Sequence, residues 1–185
     1  SSIGATLSGG DQTRLFVLQN GTSLSLRGVR LESGMARSDE SGAPSPAECP
    51  PDHGGAIFAS EGSVLHLYST HLSDNRADGA GGAIYAVSST VTATNCTMNS
   101  NSAASSGGAV WAGGNSTVTA TNCTMNSNSA HTGGAVSAVD DSTVTATACA
   151  MTSNSAYRGG AVGVQGDSTV PAADCTMASN SAHTG

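Results

Sequence analysis

The chain has 185 residues, six arginines, no lysine and 13 acidic residues, for a formal net charge of −7. That balance excludes the basic stripe of a nucleic-acid binder, and no apolar run approaches the roughly 20 residues of a membrane-spanning helix. Aromatic residues make up 3% and charged residues 10%; with charge this low and periodicity this strong, the chain is not of the disordered class.

The start, SSIGATLSGG, has neither the basic nor the apolar region of a signal peptide. IGATL reads as a first strand, and residues 1–36 as an N-terminal coil carrying Phe16, Leu24, Leu26 and Leu31. Residues 37–53, RSDESGAPSPAECPPDH, form a polar, proline-rich segment of 17 residues. A loop of that length is often functional. Its Asp39, Glu40, Glu48 and Asp52 suit a cationic partner, though it reads equally as a plain excursion.

From residue 54 the chain repeats. GGA begins at Gly54, Gly81, Gly107, Gly133 and Gly159, in steps of 27, 26, 26 and 26 residues. The nonapeptide NCTMNSNSA stands at 95–103 and again at 122–130. A fixed period of this size marks a solenoid or array. Period-2 alternation within each unit, as in STVTAT, marks strands. The unit is too short for a propeller blade and lacks a helical pattern. It fits one turn of a parallel β-helix, expected as three short strands per turn.

Alignment by the unit gives apolar columns. They are Ile57, Ile84, Val110, Val136, Val162; Leu65, Val91, Val118, Val144, Val170; Leu67, Ala93, Ala120, Ala146, Ala172; and Leu72, Met98, Met125, Met151, Met177. Phe16, Leu24, Leu26 and Leu31 fall into the same four columns. The expectation is one all-β domain over 1–185, a single-stranded right-handed parallel β-helix of about six coils of 26–27 residues. Residues 54–185 hold the GGA repeats. Gly185 falls where another GGA is due, so the helix is expected to continue beyond it, leaving an open edge for further coils or for end-to-end association.

Asn75, Asn101, Asn128, Asn154 and Asn180 form a turn column, expected to stack as an amide ladder. Ala77, Ala103, Ala130, Ala156 and Ala182 flank it and keep the corner tight.

GGAI or GGAV, followed by LSDN (72–75), MNSN (98–101, 125–128), MTSN (151–154) and MASN (177–180), resembles the GGA[ILV] and FxxN repeats of the chlamydial polymorphic outer membrane proteins. Met or Leu stands where that family has Phe. The resemblance covers residues 54–185 and implies a right-handed β-helix of the pectin-lyase type and a surface adhesin.

Cys96, Cys123, Cys149 and Cys175 share one column with Thr70 and Val29. They read either as small hydrophobes filling a narrow core or as disulfides between adjacent turns. A straight column does not form a tetrahedron, so neither a metal site nor a cofactor is expected. Cys49 lies in the loop, unpaired on this count. Asn20, Asn95, Asn115 and Asn122 open N-x-S/T sequons.

Three surfaces offer function. Thr90, Thr92 and Thr94 stand in register with Thr117, Thr119 and Thr121, and these with Thr143, Thr145 and Thr147. This outward grid of hydroxyls and methyls resembles an ice-binding face; threonine is also simply a favoured strand residue. Phe58, Tyr85 and Trp111 form an outward aromatic stripe, suited to stacking on sugar rings or a partner protein, or equally to shielding the sheet or lying under the 37–53 segment. Asp141 and Asp167 share a turn column with Asn115, and Asp140 adds to the group. Stacked carboxylates could serve a polysaccharide lyase or hydrolase or hold calcium, but solvated turn residues look the same, and Arg76 and Arg158 do not converge there. The leading expectation is therefore a non-catalytic extracellular or cell-surface scaffold or adhesion module. Its partner would be a protein or glycan. Ice binding and polysaccharide cleavage are the alternatives.

Overall fold

The structure, a computed structural model, describes residues 4–38 and 50–184. The chain winds as a right-handed parallel β-helix of about six turns, with no helix among the described residues. Each turn holds four short strands rather than the expected three. In one turn these are Ile84–Val87, Thr90–Thr94, Thr97–Asn99 and Ser102–Ala103. Their copies stack into four parallel sheets of seven, six, six and six strands.

The extra corner has a local cause. Strands within one turn are separated by residues in the left-handed region: Ser88 (φ 50°), Asn95 (φ 54°), Ser100 (φ 56°) and Gly107 (φ 66°). Asn, Asp and Ser tolerate this conformation by hydrogen bonding locally, so the bend needs no Gly or Pro to announce it. Even Ala148 adopts it (φ 51°). The GG pair answers two demands. The first Gly is left-handed in every repeat; the second leaves no room for a side chain, because a Cβ on Gly82 would strike the carbonyl oxygens of Gly108 and Ser102.

The columns pair in register. Phe16 pairs with Ile57, Ile57 with Ile84, and the series runs on through Val110 and Val136 to Val162. Leu24, Leu65, Val91, Val118 and Val144 align likewise. Leu72 pairs with Met98, and Met151 with both Met125 and Met177. The early strand is Ala5–Ser8, stacked on Val29–Glu32. Leu65, Leu72, Ile84, Val110, Met98, Met125 and Met151 are at most 1% exposed. The core is a thin stack of inward columns along the axis.

The Asn column forms the expected ladder. Asn75 Nδ2 donates to Asn101 Oδ1 (3.0 Å), Asn101 to Asn128 (3.1 Å), Asn128 to Asn154 (3.0 Å) and Asn154 to Asn180 (3.0 Å). The same Oδ1 atoms accept a backbone N–H from the turn before, as Asn128 Oδ1 does from Asn101. Each Nδ2 also donates to a main-chain carbonyl, Asn128 to Met98 O at 2.9 Å. Asn75, Asn101, Asn128 and Asn154 are fully buried, yet every side-chain amide finds partners.

Candidate functional site

The threonine grid stands on the outer side of the sheet that contains Thr90–Thr94, Thr117–Thr121 and Thr143–Thr147. Thr92 pairs with Thr119, and Thr119 with Thr145; both flanking rows keep the same register. Val91, Val118 and Val144 point inward and are 1–2% exposed. At one border of the grid the sheet presents His66 and Tyr68, paired with Thr92 and Thr94. Tyr68 is 39% exposed, and the Arg27 guanidinium lies over its ring at 4.2 Å. A cation held on an aromatic face thus adjoins the hydroxyl grid. At the other border Thr169, Pro171 and Ala173 follow, Thr169 within 3.4 Å of the Thr143 hydroxyl.

Of the readings of the aromatic stripe, the geometry matches the shielding ladder and not the open binding platform. Phe58, Tyr85 and Trp111 do pair across successive turns, outside the main core. Their faces, however, turn toward one another: Phe58 and Tyr85 lie 5.3 Å apart at 6°, Tyr85 and Trp111 4.2 Å apart at 4°. Phe58 is 1% and Tyr85 9% exposed. Residues from distant segments cover them. His53 stacks on Tyr85 at 4.5 Å, and the Arg14 guanidinium lies 5.0 Å from the Phe58 ring. A sugar stacks on a free ring face, and these faces are taken by neighbours. Trp111 alone stays half-buried.

The cover is locked by backbone recognition. Arg14 donates to the carbonyls of Pro50, Pro51, His53 and Gly54. His53 Nδ1 accepts the Ala80 N–H at 2.9 Å, and the Gly79 N–H donates to Asp52 O at 2.7 Å. Burial depresses the His53 pKa below 6.5; the nearby Asp52 carboxylate opposes that shift and Arg14 adds to it. Burial likewise pushes the Tyr85 hydroxyl up to about 12. Asp39, Glu40, Glu48 and Cys49 lie outside the described residues.

The aspartates occupy turns. Asn115 (φ 63°), Asp140 (φ 52°) and Asp141 (φ 60°) are left-handed corner residues, and all three, with Asp167, are exposed. Among the described residues no three His, Cys, Asp or Glu side chains converge as a metal group. Where the aromatic column gives way to Ser137 and Gly163, an open groove of about 400 Å³ is lined by Thr132, Arg158, Val162, Val164 and Gln165. The aspartates do not line it. Arg76 is 3.9 Å from Asp78 and belongs to another corner.

Cys96, Cys123, Cys149 and Cys175 are free thiols on the inner side of one corner. Hydrogen bonding from the Cys123 thiol lowers Cys96 to about 7 and Cys149 to about 6, while Cys123 itself is raised. The sequon residues Asn20, Asn95, Asn115 and Asn122 are all exposed.

A second ring ladder was not foreseen. His131 stacks on Tyr157 at 4.9 Å, and Tyr157 meets His183 at 5.4 Å. All three are exposed. Aligning SAHT, SAYR and SAHT, at residues 129–132, 155–158 and 181–184, carries that signal. Arg14, His53 and Arg27 carry no repeat signal, since each acts once.

A family model described as a right-handed beta helix region matches residues 40–185. No curated protein and no solved structure matches the chain.

Proposed function

Because this chain belongs to the right-handed β-helix family, we propose that it works as a non-catalytic scaffold or adhesion module, outside the cell or at its surface. β-Helices carry many unrelated activities, so the reading rests on the side chains themselves. The observation that carries it is the registered outer face of the threonine sheet, bordered by Tyr68 and Arg27. Six strands share that sheet, so the face runs about 24 Å along the rod. Each Thr offers a hydroxyl and a methyl at a fixed repeat. An extended partner, a glycan chain or a protein segment, would meet the same contact at each of the three turns of the grid. The grid alone is under about 200 Å², so one rod binds weakly and many rods bind by avidity. The likeness of the GGA repeats to those of polymorphic outer membrane proteins supports a surface role.

The test is binding of the immobilised chain to a panel of surface glycans and extracellular proteins. Thr119→Tyr puts a bulky ring in the centre of the grid, and Tyr68→Ala removes its aromatic border. Each is expected to weaken binding about tenfold, or about 1.4 kcal/mol, with an unchanged far-ultraviolet spectrum. Binding that ignores both variants would overturn the reading. Thermal hysteresis lost in Thr119→Tyr would assign the face to ice instead. Polysaccharide cleavage lost in Asp141→Asn would end the non-catalytic assignment.

A further inference from the structure

The cysteine column does more chemistry than filling a narrow core requires. Cys96, Cys123 and Cys149 are 1–2% exposed, within the main apolar core. The four stand one above another, since the strands that follow them, from Thr97, Thr124, Ala150 and Thr176, pair in register. The backbone N–H of Cys123 points at Cys149 Sγ, and that of Cys149 at Cys175 Sγ, both at 3.4 Å. The thiols in turn donate to carbonyls, Cys123 to Thr121 O at 3.4 Å and Cys149 to Thr147 O at 3.3 Å. Four sulfurs therefore stand in file, and two of them, Cys149 and Cys175, accept a backbone N–H that favours the thiolate form.

Geometry decides what the file can hold. Successive strands in a sheet lie about 4.8 Å apart, and in-register Cβ vectors run parallel. A disulfide of about 2.0 Å needs its two Cβ atoms to close to roughly 3.5–4.5 Å. Main-chain ladders on both sides of the column resist that closure. Two bonds of the zinc–thiolate length, about 2.3 Å, span about 4.6 Å in line; the somewhat shorter bonds of two-coordinate Cu(I) ask the turns to close by only a few tenths of an ångström, far less than a sulfur–sulfur bond of about 2.0 Å does. Each gap between turns supplies two sulfurs, and no third His, Cys, Asp or Glu joins them among the described residues. A tetrahedral zinc site is therefore not available. A soft ion content with two thiolates is served.

We propose that the column binds Cu(I), one ion held linearly between Cys96 and Cys123 and a second between Cys149 and Cys175. The step is ligand exchange without redox change. Two thiol S–H bonds break, two S–Cu bonds form, two protons leave to solvent, and copper stays monovalent. The apolar surroundings keep water and oxidants from the ion between Cys96 and Cys123, while half-buried Cys175 leaves the second ion nearer to solvent.

The test uses the full chain, reduced and anaerobic, with Cys49→Ser in every sample and Cu(I) delivered against the competing chelator bicinchoninate. Threonine is the replacement of choice, because Thr70 already occupies this slot fully buried. Native mass spectrometry is expected to count two copper ions in the parent and one in Cys123→Thr. Cys123→Thr/Cys149→Thr and Cys96→Thr/Cys149→Thr should hold none, because their remaining sulfurs stand two or more turns apart. Copper that falls only in proportion to the number of thiols would overturn the proposal, as would a parent that yields all its copper to the chelator. X-ray absorption of the loaded parent needs no variant to fold. Two sulfur neighbours are expected, and three or more overturn the linear site.

Discussion

At the scale of single residues, the Asn ladder shows how a polar side chain can be buried in four successive turns with its hydrogen bonds satisfied. Asn128 illustrates its reach. Its Oδ1 accepts from the backbone and side chain of Asn101, and its Nδ2 donates to Met98 O and to Asn154 Oδ1. Asn128→Ala removes four hydrogen bonds between buried groups, leaving the Asn101 N–H without this acceptor and Asn101 Nδ2, Met98 O and Asn154 Oδ1 each one bond short, each bond worth about 1 kcal/mol. A loss of about 3 kcal/mol or more is expected in urea unfolding. Asn180→Ala, in a half-buried position where water can replace the lost bonds, should cost about 1 kcal/mol. Equal losses at the two positions would show that the ladder's continuity is not what matters. This column was fully legible in the sequence, because in-register stacking writes the same letter at each period. The corner before it was not. Ser100 and Asn95 bend the chain with no Gly or Pro, so three strands were expected where four form.

At the scale of elements, the 50–53 segment and Arg14 act together as a clasp over the aromatic ladder. The clasp needs neutral His53, because Nδ1 must accept the Ala80 N–H. Around that ring stand Asp52, Arg14 and Tyr85. The folded pKa lies below the ordinary 6.5. Between those two values the unfolded chain carries more protons, so stability rises with pH. The contribution of His53 is fully present above about 6.5 and is lost as pH falls through the lowered folded value. His71 is shifted in the same direction, so the measurement is the difference in urea midpoint between the parent and His53→Ala. That gap should be about 1–3 kcal/mol at pH 7.5 and shrink on acidification. A gap independent of pH would exclude the clasp. The outward turn of Phe58, Tyr85 and Trp111 could be read from alternation. Covering by the 37–53 segment was among the open readings, and His53 supplies it; the part of Arg14 was not legible, since it recognises backbone carbonyls some 40 residues away and leaves no side-chain pattern to find.

At the scale of the whole rod, each turn touches only its neighbours, so stability is a sum of turns and of the interfaces between them. Deleting residues 92–118 joins Val91 to Thr119 and removes one complete period, since Val91 and Val118 are paired. The shortened chain should keep its β-type spectrum and cooperative melting, with a lower midpoint. Deleting 92–117 instead joins Val91 to Val118 and slips the strand by one residue, which sends its apolar side chains outward. Cooperative melting should then be lost; two equally well-folded products would contradict the in-register core. The likeness of the later turns also creates a hazard for the nascent chain. NCTMNSNSA could zip onto the wrong copy, skipping a turn, with its hydrogen bonds still made. Phe58, Tyr85 and Trp111 occur once each at their slot, and only one threading brings all three rings together under Arg14 and His53. The trio is thus a tally mark, by which a repetitive polymer counts its own coils.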